Sequence, residues 1–244
     1  MDAHYNQDTW TDRIRAALKR RIDALLYDLR TPRTLIERPF GRMLMRRYNG
    51  DEGQNTDDRT GSSGYALIHY ALLRNEKPKR VLCVGSRKGF VPGALALALR
   101  DNHRGHVDFV DSSYSKESHY GKSWGGIGFW NRVSAKKHFA HIGVDKWITF
   151  YRMTTVEFAA RKPSYTYQYI YIDGDHSYEG VQTDYRLFWP RLEKGGYLVL
   201  HDVCARGSLE GGKFGVRKFW REIGDKGITI KIPSHSGLGI LQKK

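Results

Sequence analysis

Four short stretches of this chain gather side chains able to move a proton, hold a cation or admit a ligand close to the backbone. "DGDH" sets Asp173, Asp175 and His176 side by side, and "HD" sets His201 next to Asp202. "DSS" runs from Asp111 through Ser112 to Ser113, and "VGSRKG" offers Gly85, Ser86 and Gly89. Carboxylates and imidazoles titrate or coordinate ions, while glycines let backbone amides approach a bound molecule. Each stretch follows a run of β-forming residues, so the ionisable groups leave the ends of strands.

The surrounding pattern says how such ends could meet. From Arg80 onward, "RVLCVG", "VDFVD", "ITFYR", "YQYIYID" and "YLVLHDV" read as strands. Between them, "VPGALALALR", "FWNRVSAKKHFAHIG", "TTVEFAARK" and "YEGVQTDYRLFWPRLE" read as helices, the first with Pro92 in its opening turn and the second ending at Gly143. Such alternation implies right-handed crossovers and a parallel sheet covered on both faces. The tail breaks the rule, because "ITIKIP" and "LGILQK" are separated only by "SHSG" and must pair antiparallel. The expected fold is α/β, a Rossmann-like doubly wound, mostly parallel sheet closed by a C-terminal antiparallel hairpin. In such sheets ligands bind outside the carboxyl ends of the strands, where all four polar stretches lie.

The chain's 244 residues, 40% hydrophobic and 13% aromatic, suffice for one full-sized core. We expect that core over 64–244, with a helical extension and a mobile loop over 1–63. Ile14, Leu18, Ile22, Leu25 and Leu29 recur at helical spacing behind Thr9 or Thr11 as a cap. This stripe suits packing on the main domain or on a second copy of the chain, which would make a homo-oligomer. Asp12, Asp23 and Asp28 interrupt the basic opposite face and argue against a membrane-surface helix. "NGDEGQNTDDRTGSS" reads as the mobile loop and "GYALIHYALL" as a helix leading into the domain.

No apolar run is long enough for a membrane span, and "MDAHYNQDTW" lacks the pattern of a secretory signal, so a cytoplasmic protein is expected. Cys83 and Cys204, beside strand-like runs, fit a reducing compartment and resemble neither a nucleophile nor a metal pair. The 41 Lys and Arg against 26 Asp and Glu give a net charge of +15. The excess is spread along the chain without a basic block, an argument against a dedicated nucleic-acid groove.

The loop after the first strand discriminates between cofactors. A pyrophosphate cradle wants G-x-G-x-x-G, and Arg87 occupies its second glycine position. Asp111 nevertheless stands where an acid bonds the ribose hydroxyls of an adenosine. An adenosine cofactor without pyrophosphate fits this combination, and S-adenosylmethionine is the common one. It would lie with Asp111 on the ribose, Gly85, Ser86 and Gly89 along the methionine portion, Ser112 in the second loop, and Met153 or Thr154 near adenine.

With these residues in view, the chain from about Arg80 to Lys244 resembles a class I S-adenosylmethionine-dependent methyltransferase. "YIDGDHSYEG" and "LEKGGYLVLHDV" resemble, more narrowly, the branch holding macrocin-type sugar O-methyltransferases and cephalosporin hydroxylase-like proteins. The resemblance implies that Asp173 binds a divalent metal, Mg²⁺ or Mn²⁺, that His176 is the general base, and that His201 and Asp202 complete the metal site. Cys83 stands where an acid usually begins the cofactor loop, and His201 where an acid is more usual in the metal site. The implied reaction is O-methylation of a sugar, glycan or small natural product. A sulfonium already carries its leaving group, so the enzyme must align acceptor, methyl and sulfur and remove the acceptor proton.

"SHYGKSWGGIGFWN", His119 to Asn131, could approach a ligand through its glycines and rings, or its aromatics could simply pack. Arg87, Lys88 and Arg206 near strand ends suit an anionic acceptor. An RNA methyltransferase using the basic surface, and a hydroxylase or non-catalytic relative, remain alternatives within the same fold.

Overall fold

The computed structural model of the chain describes residues 14, 15, 18, 19, 22, 44, 52–57, 62–113, 128–209 and 212–244. Leu25, Leu29, the candidate caps Thr9 and Thr11, and residues 119–127 of the glycine-aromatic stretch lie outside that set. Ile14, Leu18 and Ile22 are helical and 40%, 57% and 52% exposed, so these three members of the predicted stripe face outward. Among the described residues no helix is long and apolar enough to cross a membrane.

Strands β1 (Arg80–Val84), β2 (His106–Val110), β3 (Ile148–Tyr151), β4 (Tyr167–Ile172) and β5 (Leu192–His201) pair in parallel in the order β3-β2-β1-β4-β5. The tail supplies β8 (Gly227–Ile232) and β9 (Leu238–Lys243), which join antiparallel beyond β5 and finish a seven-stranded sheet as β5-β9-β8. A two-residue pair, β6 (Ser208–Leu209) with β7 (Gly212–Lys213), forms a separate small hairpin. The predicted Rossmann-like mixed sheet is present.

The order reverses between β1 and β4, the switch point where such sheets open a crevice. Helices α1 (Tyr65–Glu76) and α2 (Phe90–Asp101) pack on one face, against Val81, Cys83, Phe109, Tyr169 and Tyr171. Helices α5 (Thr155–Arg161), α6 (Tyr178–Phe188) and α7 (Val216–Glu222) contribute Phe158, Phe188 and Phe219 to the core on the other, against Leu82, Ile170 and Leu198. Continuous burial of β1 after Arg80 follows from that double cover.

Local chemistry changed three predicted boundaries. The helix expected from Phe129 to Gly143 is two, α3 (Phe129–Arg132) and α4 (Ala135–Ala140), because Val133 turns extended and Ser134 Oγ accepts the Lys137 amide as a new cap. Helix α6 stops at Phe188, and Trp189–Arg191, carrying Pro190, tightens into a 3₁₀ turn. Strand β5 starts at Leu192 rather than Tyr197, with a register shift opposite Tyr167 to Tyr169 that Gly195, at φ 79, accommodates. Trp130, 3% exposed, lies among Phe109, Phe139 and Phe150, so packing accounts for that ring of the glycine-aromatic stretch.

Candidate active site

Register brings the polar strand ends together. Val84 pairs with Val110 on one side and with Ile172 on the other, and Ile172 pairs with Leu200. Gly85 therefore leaves the sheet between Asp111 and Asp173, with His201 next in line. Gly85 sits at φ 69, and a Cβ there would come within 2.1 Å of the Asp173 carbonyl, so this glycine is fixed by both conformation and space.

On the β1–β2 side, the Asp111 carboxylate accepts the Ser113 amide at 2.7 Å and also the Ser86 amide, tying the two loops together. Burial raises its pKa to about 6, with those amides opposing and the charge of Asp173 adding. Ser86 Oγ and Ser113 Oγ are buried without a hydrogen-bond partner beside this carboxylate. Ser112 is half-buried in the same loop. Met153 is half-buried after β3, and Thr154 spends its hydroxyl capping α5 in a reciprocal box with Glu157. Cys83 is buried, and burial pushes its thiol well above the ordinary value, so it is no nucleophile.

On the β4–β5 side, Asp173, His176, His201 and Asp202 form one cluster. His201 Nδ1 lies 3.1 Å from Asp173 Oδ1 and 3.3 Å from Asp202 Oδ1, yet is aligned for a hydrogen bond with neither. Its Nε2 lies 2.7 Å from the Gly53 carbonyl, which can only accept, so Nε2 carries the proton. His176 Nδ1 pairs closely with Asp202 Oδ2, and its Nε2 is 4.0 Å from Asp173 Oδ1. Asp202 reaches both imidazoles because it leaves β5 in the left-handed region, at φ 63.

The turn between β4 and α6 delivers His176. Ser177 Oγ caps α6 by accepting the Gly180 amide at 3.0 Å, and Asp175 Oδ1 accepts the Ser177 amide at 2.9 Å. The capping role thus falls to Ser177, and the His176 ring turns to the cluster, edge-on to Phe214. Burial lowers the pKa of both imidazoles, but the carboxylates outweigh it: His176 is raised, chiefly by Asp202, and His201 well above its ordinary value, chiefly by Asp173. Asp202 is held far below the usual carboxylate range, since the hydrogen bond from His176 and the charges of both imidazoles overcome its burial.

Asp173, His201 and Asp202 each offer one ligand atom, all within 4.8 Å of one another. Adjacent ligands on a six-coordinate ion with bonds of about 2.1–2.3 Å stand about 3 Å apart, close to the spacing around His201 Nδ1. A lone pair there would repel both carboxylates, so the position calls for a proton or a cation. A ring nitrogen facing two carboxylates, its partner nitrogen tied to a backbone carbonyl, is the ordinary arrangement of a metal-ligating histidine. The residues fit a divalent metal.

Sequence reading did not find Gln54 or Tyr171. Gln54 Nε2 donates to Tyr171 Oη at 2.8 Å and to Asp173 Oδ2 at 3.2 Å, and Tyr171 Oη donates to Asp173 Oδ2 at 2.9 Å. Gly53 and Gln54 fall in the stretch expected as a mobile loop; the structure corrects this for both, seating them against the cluster, with Gln54 1% exposed. Arg87 and Arg206 are exposed and Lys88 half-buried.

The strand order and the polar groups at the carboxyl ends of its central strands define a Rossmann-like methyltransferase fold. The chain belongs to the methyltransferase-domain family, whose model, described as "Methyltransferase domain", matches residues 82–203. It is 25% identical over 186 residues to the uncharacterised protein y4gI of Sinorhizobium fredii (strain NBRC 101917 / NGR234), an alignment covering 75% of this chain and 18% of that protein. The chain thus spans less than a fifth of that relative's length. The O-methyltransferase of Bacillus cereus in complex with SAH superposes with a TM-score of 0.60 at 12% identity, over 92% of this chain and 97% of that one. TomG of Streptomyces achromogenes, involved in tomaymycin synthesis and solved with SAM, gives 0.55 at 13%, over 92% and 96%. SAH-bound PaMTH1 of Podospora anserina gives 0.53 at 16%, over 100% and 99%. At these identities the likeness is one of fold.

Proposed function

We propose that the protein is an S-adenosylmethionine-dependent O-methyltransferase that uses a divalent metal to methylate a hydroxyl of a sugar, glycan or small natural product. The observation that carries this is the division of one crevice into two differently equipped halves. Beside β1 and β2, Asp111 with the unpartnered Ser86 Oγ and Ser113 Oγ suits the hydroxyls of a ribose. Beside β4 and β5, the carboxylates of Asp173 and Asp202 with His201 Nδ1 suit a cation. The SAM- and SAH-bound proteins of the same fold support the cofactor half.

S-adenosylmethionine, when bound, supplies an electrophilic methyl on a sulfonium; a divalent cation, when bound, lowers the pKa of an acceptor oxygen. The chain's own residues do the rest. Asp173, Asp202 and His201 would hold the cation, and Gly85 leaves room for backbone and ligand to pass. His176 takes the acceptor proton at Nε2, since Nδ1 is engaged by Asp202. The Asp202 carboxylate fixes the ring and stabilises the imidazolium formed, in keeping with the raised pKa of His176. Arg87, Lys88 and Arg206 favour an acceptor with anionic character.

The test is methyl transfer from tritium-labelled S-adenosylmethionine into small-molecule, glycan and RNA pools, with and without EDTA. Label in a hydroxyl-bearing small molecule or glycan, lost in EDTA and restored by Mn²⁺ or Mg²⁺, supports the reading. Label in RNA, or full transfer in EDTA, overturns it.

A further inference from the structure

We propose that Gln54 is a positioning residue of this site, one that fixes which oxygen of Asp173 faces the cation position; the inference rests on the metal-assisted reading above. The two oxygens of Asp173 have different neighbours. Oδ2 accepts from Tyr171 Oη at 2.9 Å and from Gln54 Nε2 at 3.2 Å. Oδ1 faces His201 Nδ1 at 3.1 Å and His176 Nε2 at 4.0 Å.

The chemistry leaves one orientation for the Gln54 amide. Tyr171 Oη gives its hydrogen to Asp173, so it meets Gln54 Nε2 as an acceptor at 2.8 Å. A flipped amide would set Oε1 against the carboxylate, oxygen to oxygen. Tyr171 is fully buried, and its hydroxyl lies 2.9 Å from Asp173 Oδ2, placed to donate to it. Gln54, Tyr171 and Asp173 thus close a triangle of hydrogen bonds, all on the oxygen turned away from His201. A carboxylate held this way resists the rotation that would exchange Oδ1 for Oδ2.

The neighbouring residue acts on a second member of the cluster. The Gly53 carbonyl meets His201 Nε2 at 2.7 Å and accepts from Ser236 Oγ at 3.2 Å. Holding the proton on Nε2 leaves Nδ1 as the nitrogen facing Asp173 and Asp202. One short turn, Glu52–Gln54, therefore orients two of the three candidate ligands through groups that do not themselves touch the ion position.

The experiment is Mn²⁺ binding to the purified full chain, followed by calorimetry and electron paramagnetic resonance, with S-adenosylhomocysteine binding and thermal melting on the same samples. Gln54→Met keeps the length and removes both N–H donors. It should raise the Mn²⁺ dissociation constant about 10- to 100-fold, as loss of a ligand's outer partner does, with S-adenosylhomocysteine affinity unchanged. Tyr171→Phe removes the other donor to Oδ2 while keeping the ring in the core. It should shift Mn²⁺ affinity in the same direction, and decides the matter should Gln54→Met fail to fold. A folded Gln54→Met protein with wild-type Mn²⁺ affinity overturns the role of Gln54 and leaves the metal reading standing. Wild-type protein that takes up no Mn²⁺ overturns both.

Discussion

His201 Nδ1 stands 3.1 Å from Asp173 Oδ1 without an aligned hydrogen bond, although its own Nε2 is firmly engaged at 2.7 Å by Gly53. An imidazole so well held on one side could have been turned to donate on the other. That it faces oxygen without donating is what a coordinating nitrogen requires. His201→Ala should weaken Mn²⁺ binding by at least about tenfold and leave S-adenosylhomocysteine binding intact, read by calorimetry. Wild-type Mn²⁺ affinity in the variant would move His201 out of the ligand set.

His176 is placed by Asp202 and freed from capping by Ser177, so its loss should be felt in turnover. His176→Ala should cost roughly 10²- to 10⁴-fold in kcat, the usual range for a general base, with cofactor affinity nearly unchanged. Steady-state kinetics with the identified acceptor decides this, and normal turnover would dismiss His176 as base.

Asp111 is the charged member of the proposed ribose site. Asp111→Ala should weaken S-adenosylhomocysteine binding by about 1.5–3 kcal/mol, as expected for hydrogen bonds to a charged group. An isotherm identical to wild type would take Asp111 off the ribose.

Asp202 combines a carboxylate of the proposed metal site with a left-handed backbone, φ 63. Both Asp202→Ala and Asp202→Gly remove the carboxylate, but only glycine relieves the backbone. The glycine variant should be more stable than the alanine variant by about 1–2 kcal/mol in urea unfolding, with both defective in Mn²⁺ uptake. Equal stabilities would mean the conformation carries no strain.

Asp184, buried on α6, has its pKa raised to about 7, by burial first and by the charge of Asp175, against a hydrogen bond from Thr155. A carboxyl whose folded pKa exceeds its unfolded value near 3.8 favours folding in its protonated form. Its contribution is whole below about pH 4 and is lost as pH rises to about 7 and beyond, by on the order of a few kcal/mol at most. Melting temperature should fall more between pH 5.5 and pH 8.5 in wild type than in Asp184→Asn, roughly in proportion to that loss. Parallel pH profiles would show that Asp184 does not titrate in this window.

What the sequence revealed and what it hid have physical reasons. Asp173, His176, His201 and Asp202 were legible because they end strands whose β-forming runs announce themselves, and parallel topology collects such ends. Gln54 was not, since a buried glutamine in "DEGQNTDD" has the composition of a solvated loop and its partners lie 117 and 119 residues away. Tyr171 read as one more aromatic of a core strand, and only its hydroxyl, aimed at Asp173, separates it from Tyr167. Ser134 did carry a signal, a cap inside an expected helix, and its neighbours' apolar spacing masked it.

The bond from Ser236 to Gly53 spans 183 positions and that from His201 to Gly53 spans 148, which makes the cluster one of the most non-local features of the chain. Contacts of such separation form late in folding, after the local helices and the strand crossovers. A chain emerging from the ribosome would present Asp173 and His176 before His201 and Asp202, which position them, and could not close the arrangement until Ser236 had been made. An ion held by Asp173, His201 and Asp202 would mark completion, since a chain that stalls or unfolds at either end would release it while most of the sheet is still intact.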